Sequence, residues 1–131
     1  MNYGVISIKP IYINKILTGD KKFEFRKKAP SLLPVAFLLY STSPVKMIVG
    51  VAYISSVIKD NPKKLWERCS DHSGVDEDDF KRYFKDYETG YALFIDSVES
   101  FIKPLEPGAL IKNFIPPQSF YYLEEGFCLP N

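Results

Sequence analysis

The sequence predicts an α+β domain: a bent or barrel-like mixed sheet with one helix near its start and two helices inserted as a block. Three observations carry that expectation. Strand-like runs occupy both ends of the chain, while helical patterns crowd into its middle, between positions 61 and 87. Val35-Ala-Phe-Leu-Leu-Tyr40 is apolar without alternation, as a strand buried on both faces is. Met47 to Ile58 has strand character over a long stretch but is interrupted by Gly50, which marks a bulge, a barrel bend or a close approach of another backbone.

Taken in order, Tyr3 to Lys9 forms a first strand ended by Pro10. Pro10 suits the first position of a helix, Ile13, Ile16 and Leu17 recur at helical spacing, and Gly19 is placed as the C-terminal cap. The strand Lys22-Phe-Glu-Phe-Arg26 follows and stops near Pro30. Its alternation puts Phe23 and Phe25 on one face and Glu24 and Arg26 on the other, about 7 Å apart. Val35 to Tyr40 runs into a hydroxyl-rich turn, Ser41-Thr42-Ser43-Pro44.

Asn61-Pro62 starts a helix with Asn as its cap, and Asp71-His72-Ser73-Gly74 breaks it. A second helix opens on Asp76-Glu77-Asp78-Asp79 and closes on Lys81, Arg82 and Lys85, matching the helix dipole. Phe80, Tyr83, Phe84 and Tyr87 give it a stripe expected to face the core. Tyr91 to Val98 is a further strand, with Phe101-Ile102 extending it past a kink, and Pro116 to Leu123 is expected to be a turn that lays aromatics back on the sheet.

Length and composition set the bounds. A chain of 131 residues fits a single domain, 1–131, able to bury about two-thirds of its unfolded surface. Hydrophobic residues at 46% and charged residues at 25% are those of a soluble globular protein. The longest apolar run, Val35 to Tyr40, is too short to cross a bilayer, so no membrane partner is expected. No signal peptide is expected ahead of the first strand, and Cys69 and Cys128 lie far apart without metal-ligand spacing. A cytoplasmic location, with no cofactor and no metal, is the expectation.

The net charge of +1 hides an asymmetry. Residues 1–60 carry nine Lys/Arg against three Asp/Glu, and residues 61–131 carry eight against thirteen. A basic half within a near-neutral whole suits a protein that meets an anion on one surface, or one whose halves interleave under water.

The pattern Gly19-x-Lys21-x-x-Glu24-x-Arg26 is preceded by Ile6-Ser-Ile-Lys-Pro10 and Ile16-Leu17. It is followed by Tyr40-x-Thr-Ser, by Val49-Gly50 and by a closing Pro-Pro-Gln-Ser-Phe. In this order the chain resembles the ASCH domains of the PUA-like superfamily, from Ile6 to about Leu123. The resemblance implies a PUA-like pseudo-barrel of mixed strands with an N-terminal helix and an inserted helical pair. It also implies a cleft beside the helix-to-strand turn that binds RNA or a nucleotide.

Residue chemistry adds detail to that expectation. Arg26 offers a planar fork of donors for a phosphate or base edge, and Glu24 accepts from an amine or orients Arg26. Lys21 lies at the turn before the strand, so alternation does not fix its direction; it and Lys9 are either point charges at the cleft mouth or ordinary surface lysines. Ser41, Thr42 and Ser43 are small donors for a phosphate or sugar, or simply turn chemistry. Tyr40 and Tyr53 are either core residues or stacking faces. Gln118 and Ser119 are expected to tie down the C-terminal turn. His72, in an acidic loop, has neither a triad nor a metal cluster around it.

Two functional classes stand beside each other. One is a module that grips a single-stranded or modified nucleotide in a basic cleft. The other is a hydrolase using Lys21 and Glu24, acting on RNA or on an acylated nucleoside. One ASCH-like branch removes an acyl group from a modified cytidine with a Lys-x-x-Thr arrangement; Lys21 is present here, but Glu24 stands in the threonine position. A protein-interaction domain that keeps the fold without the cleft chemistry is the third class.

Overall fold

A computed structural model describes residues 1–130. Six strands form one mixed sheet: β1 (Asn2–Ile8), β2 (Phe23–Arg26), β3 (Val35–Ser41), β4 (Met47–Asp60), β5 (Gly90–Leu105) and β6 (Phe120–Tyr122). Their order is β2-β5-β4-β3-β1-β6, with β1 and β3 parallel and the other neighbours antiparallel. Helix α1 (Pro10–Leu17) links β1 to β2. Helices α2 (Pro62–Cys69) and α3 (Glu77–Tyr83), joined through a single 3-10 turn at Ser70–His72, sit between β4 and β5. This is the α+β half-barrel with an N-terminal helix and inserted helical pair that the sequence predicts.

The unbroken apolar run of β3 has a simple cause. Val35, Phe37 and Leu39 enter one core with Ile6, Ile8, Ala52 and Ile54, which α1 covers with Ile13 and Ile16. Ala36, Leu38 and Tyr40 enter a second core on the opposite face, with Val5, Ile48 and Val51. The C-terminal segment covers that second core with Phe114, Tyr121, Leu123 and Phe127. A third core, built from Phe25, Leu65, Cys69, Phe80 and Phe84, holds the helical pair against β2 and β5.

The punctuation acts as the residue chemistry dictates. Gly19, at φ +86°, lets the chain leave α1 and turn into β2. Asn61 accepts from the Lys64 N–H at 2.9 Å, capping α2, and Asp76 caps α3. At Gly50 the β4–β5 register slips, and any Cβ there would lie 2.4 Å from the Glu99 carbonyl oxygen. The glycine thus permits a close backbone approach at the bend of the sheet.

Three expectations change. Residues 120–122 form strand β6 on the free side of β1, instead of the turn expected for Pro116 to Leu123. The α3 stripe splits: Phe80 and Phe84 are buried, but Tyr83 and Tyr87 are exposed. Helix α3 ends at Tyr83, before the chain could carry Tyr87 onto the same face. A short helix, α4 (Pro107–Leu110), has no forerunner in the sequence reading, since it spans a single turn.

Candidate functional site

The cleft lies between α1, the start of β2, helix α3 and residues 117–119, with a volume of about 720 Å³. Its floor is built on Lys21. The turn after α1 fixes this residue by backbone bonds: Lys21 N–H donates to the Lys15 carbonyl, and the next N–H, of Lys22, to the His72 carbonyl. The side chain is then buried, only 1% exposed, with its Nζ donating to the Ser73 carbonyl at 2.6 Å. The ammonium lies 5.4 Å from the Tyr12 ring centroid and 5.3 Å from that of Phe25, so two aromatic faces stabilise it. Gly74 makes room for the stem, since a Cβ there would meet the Lys21 Cβ at 2.7 Å.

Glu24 joins the two cations of the floor. Its Oε1 lies 3.5 Å from Lys21 Nζ, and its Oε2 accepts from Arg26 Nη2 at 2.5 Å and Nε at 3.1 Å. Arg26 reaches further. Its Nη2 also donates to the Ser7 carbonyl at 2.8 Å, and its Nη1 to the Ser119 hydroxyl at 3.1 Å. Ser7 in turn holds that segment, with Oγ donating to the Pro117 carbonyl and N–H to the Ser119 carbonyl.

The electrostatics follow from this packing. Burial pushes the Lys21 ammonium below the usual lysine range, and the Glu24 carboxylate opposes part of that. Burial alone would raise Glu24, but Arg26 and Lys21 beside it win and hold its carboxyl below the usual range. The Tyr12 hydroxyl is pushed up by burial and by the negative charges of Asp79, Glu24 and Asp76. Four cations, Lys9, Lys21, Arg26 and Arg82, line the cleft against two carboxylates, Glu24 and Asp79. The surplus is positive and sits in a concave space, where low-dielectric walls strengthen its pull on an anion.

The sequence-derived residues divide around this cleft. Lys9, Lys21, Glu24, Arg26 and Thr42 line it. Lys21 lies at the floor and not at the mouth, because its backbone bonds and the Ser73 carbonyl draw the side chain inwards. The Arg26 fork is not open to an incoming edge, because Glu24, Ser7 and Ser119 already take its donors. Tyr40 is buried in the second core against Phe114, and Tyr53 packs on the same core. Ser41 is buried, and Ser43 is exposed in the turn outside the cleft lining.

Tyr12, Tyr83, Arg82 and Ser119 line the cleft without having been singled out for it. Tyr12 and Ser119 arrive from elements whose sequence pattern speaks only of helix and turn. The closing Pro-Pro-Gln-Ser-Phe segment was the one signal pointing to Ser119. Among the described residues, no group of three or more His, Cys, Asp or Glu is placed to hold a metal ion, and no helix is long and apolar enough to cross a membrane.

Comparison with known proteins places this architecture. The chain is 30% identical over 126 residues to the ASCH domain-containing ribonuclease of Zymomonas mobilis, a match covering 93% of this chain and 84% of that protein. The crystal structure of ASCH from Zymomonas mobilis superposes with a TM-score of 0.86 at 29% identity, covering 94% of this chain and 88% of that one. A variant of that protein with a tyrosine replaced by phenylalanine superposes with a TM-score of 0.88 at 27% identity, over 95% and 92% of the two chains. The ASCH domain model matches residues 6–102, which include the whole Gly19-to-Arg26 motif, and this protein belongs to the ASCH domain family.

Proposed function

We propose that the protein binds single-stranded RNA in the cleft over Lys21, Glu24 and Arg26. The observation that carries this reading is the buried floor, where two cations share one carboxylate. A net positive charge is thereby held out of water beneath a hollow large enough for a nucleotide. A phosphodiester brought into that hollow gains more from each charge than it would at an open surface. Arg26 acts as the strut: its donors are spent on Glu24, Ser7 and Ser119, so it fixes the walls of the cleft. The rim cations Lys9 and Arg82 meet the anion directly, and the buried Lys21 adds its charge from beneath the floor.

Cleavage of the bound strand is the second reading, favoured by the ribonuclease to which the chain is 30% identical. Attack of a ribose 2′-hydroxyl on the neighbouring phosphorus, its proton passing to solvent water, builds negative charge on the phosphoryl oxygens and breaks the bond to the next ribose 5′-oxygen, which takes up a proton from water. Lys21, buried beneath the hollow and bonded to the Ser73 carbonyl, acts on that charge through its field and not by direct contact. Glu24 has both oxygens engaged and its carboxyl held low, so it orients the two cations instead of accepting a proton. Lys9, Thr42 and Ser119 position the strand.

The test is a binding and cleavage assay on labelled single-stranded RNA with the intact protein and Lys21→Met. The intact protein should bind with an affinity that falls as salt rises, with a log–log slope of about 0.7 per phosphate contact. Lys21→Met should lose tenfold or more in affinity or in cleavage rate while remaining folded. Equal behaviour of the two proteins on RNA would remove Lys21, and the cleft with it, from the function.

A further inference from the structure

The cleft does not end at Tyr83. Lys27, the residue after Arg26, leaves the end of β2 and brings its Nζ to 4.6 Å from the ring centroids of both Tyr83 and Tyr87. Tyr83 is 39% exposed and Tyr87 46% exposed, although they follow the buried Phe80 and flank the buried Phe84. Tyr83 packs edge-on against Phe84, with ring centroids 4.8 Å apart, but both rings stay part-open to water beside one shared ammonium. Phe25, Phe80 and Phe84 already fill that core with edge-to-face contacts.

We infer that Tyr83, Lys27 and Tyr87 form a second nucleotide subsite, which extends the cleft into a track for a single strand several nucleotides long. The inference rests on the reading of the cleft as an RNA site and names its substrate: an oligonucleotide, not a free nucleotide. Aromatic faces accept any base by stacking, and an ammonium between them takes the phosphate that joins successive bases. Arg82, next to Tyr83 and paired with Asp79 at the cleft rim, supplies the cation between the first subsite and the second. The track also has an end. Beyond Tyr87 a second hollow opens beside Trp66, where Glu67, Glu77 and Glu88 stand with Lys63 and Lys81. Lys81 pairs with Glu77, so the hollow offers a phosphodiester no surplus of positive charge and the strand leaves towards solvent there.

The test compares labelled oligoadenylates, a dinucleotide and an octanucleotide, titrated against the full chain at two salt concentrations. The octanucleotide should bind at least tenfold more tightly than the dinucleotide. Tyr83→Ala and Tyr87→Ala should each weaken octanucleotide binding about five- to hundredfold, the loss of one stacked base. Tyr87→Phe, which keeps the ring, should stay within about twofold of the parent. Lys27→Ala, a change at an exposed side chain, should flatten the salt dependence by about 0.7 of a log–log unit.

Unchanged octanucleotide affinity in folded Tyr87→Ala, with an unchanged salt slope in Lys27→Ala, overturns the track. The cleft reading survives that result if Lys21→Met still loses RNA. An intact protein that binds neither oligonucleotide overturns the cleft reading and the track together.

Discussion

Arg26 Nη1 meets the Ser119 hydroxyl at 3.1 Å across 93 positions of chain, and this contact ties the two free edges of the sheet together. β2 is the last strand on one side and β6, which Ser119 precedes, is the last on the other. An open half-barrel has no backbone ladder across its gap. Here a guanidinium spans the gap instead, and the cleft is the space it holds open.

Removing that strut should cost more than removing a surface ion pair. Arg26→Ala leaves Glu24 buried with only Lys21 for company and the Ser7 carbonyl without its donor, so a loss of about 3–5 kcal/mol is expected. Urea denaturation at neutral pH measures it. Ser119→Ala removes one acceptor of the same fork and should cost only about 1 kcal/mol. Equal costs for the two changes would mean that Arg26 does not carry the closure.

Lys21→Met should separate stability from function. The stem stays packed against Phe25 and Gly74 and a costly buried charge disappears, but the Ser73 carbonyl loses its donor and Glu24 keeps Arg26 alone, so a loss of about 1–3 kcal/mol is expected. RNA affinity or cleavage should nevertheless fall tenfold or more. A large loss of stability in Lys21→Met would show that its ammonium holds the fold.

Gly74→Ala should harm both. Gly74 has φ +67° and its Cβ would press on Lys21, so the strained backbone and the crowded stem each add about 1–2 kcal/mol. Displaced Lys21 should also weaken RNA binding. Asn61→Ala, which removes the α2 cap far from the cleft, should cost about 1 kcal/mol in thermal or urea unfolding and leave RNA affinity unaltered.

The pH dependence has a definite sign at each end. Glu24 is held lower in the folded protein than in the unfolded chain, so its contribution is complete above about pH 4.3 and is lost as pH falls through its folded value. Lys21 is also held lower when folded. Between its folded value and about pH 10.4 the unfolded chain binds the extra proton, and stability therefore rises with pH across that window. Denaturation curves for the parent protein, Glu24→Gln and Lys21→Met should show the acid slope missing in the first variant and the alkaline rise missing in the second.

The sequence by itself determined every long element. Period-two and period-3.6 patterns, the Pro10 and Asn61 starts, and the Gly19 and Gly50 breaks all report on neighbours close in the chain. It also determined that Glu24 and Arg26 share a face, since alternation along β2 leaves no choice. Local pattern could not say that Tyr83 and Tyr87 would stand outside the core, because α3 stops one turn earlier than its stripe suggests.

Only the tertiary structure decided what Glu24 and Arg26 face. Arg26 finds Ser7 and Ser119, and Lys21 finds Ser73, at separations of 19, 93 and 52 positions. Such contacts are set by how the sheet curls and where the helical pair docks, and neither leaves a periodic trace in the residues that take part. Burial then gives the same three side chains their charge balance, because desolvation depends on everything packed around them and not on the motif that contains them.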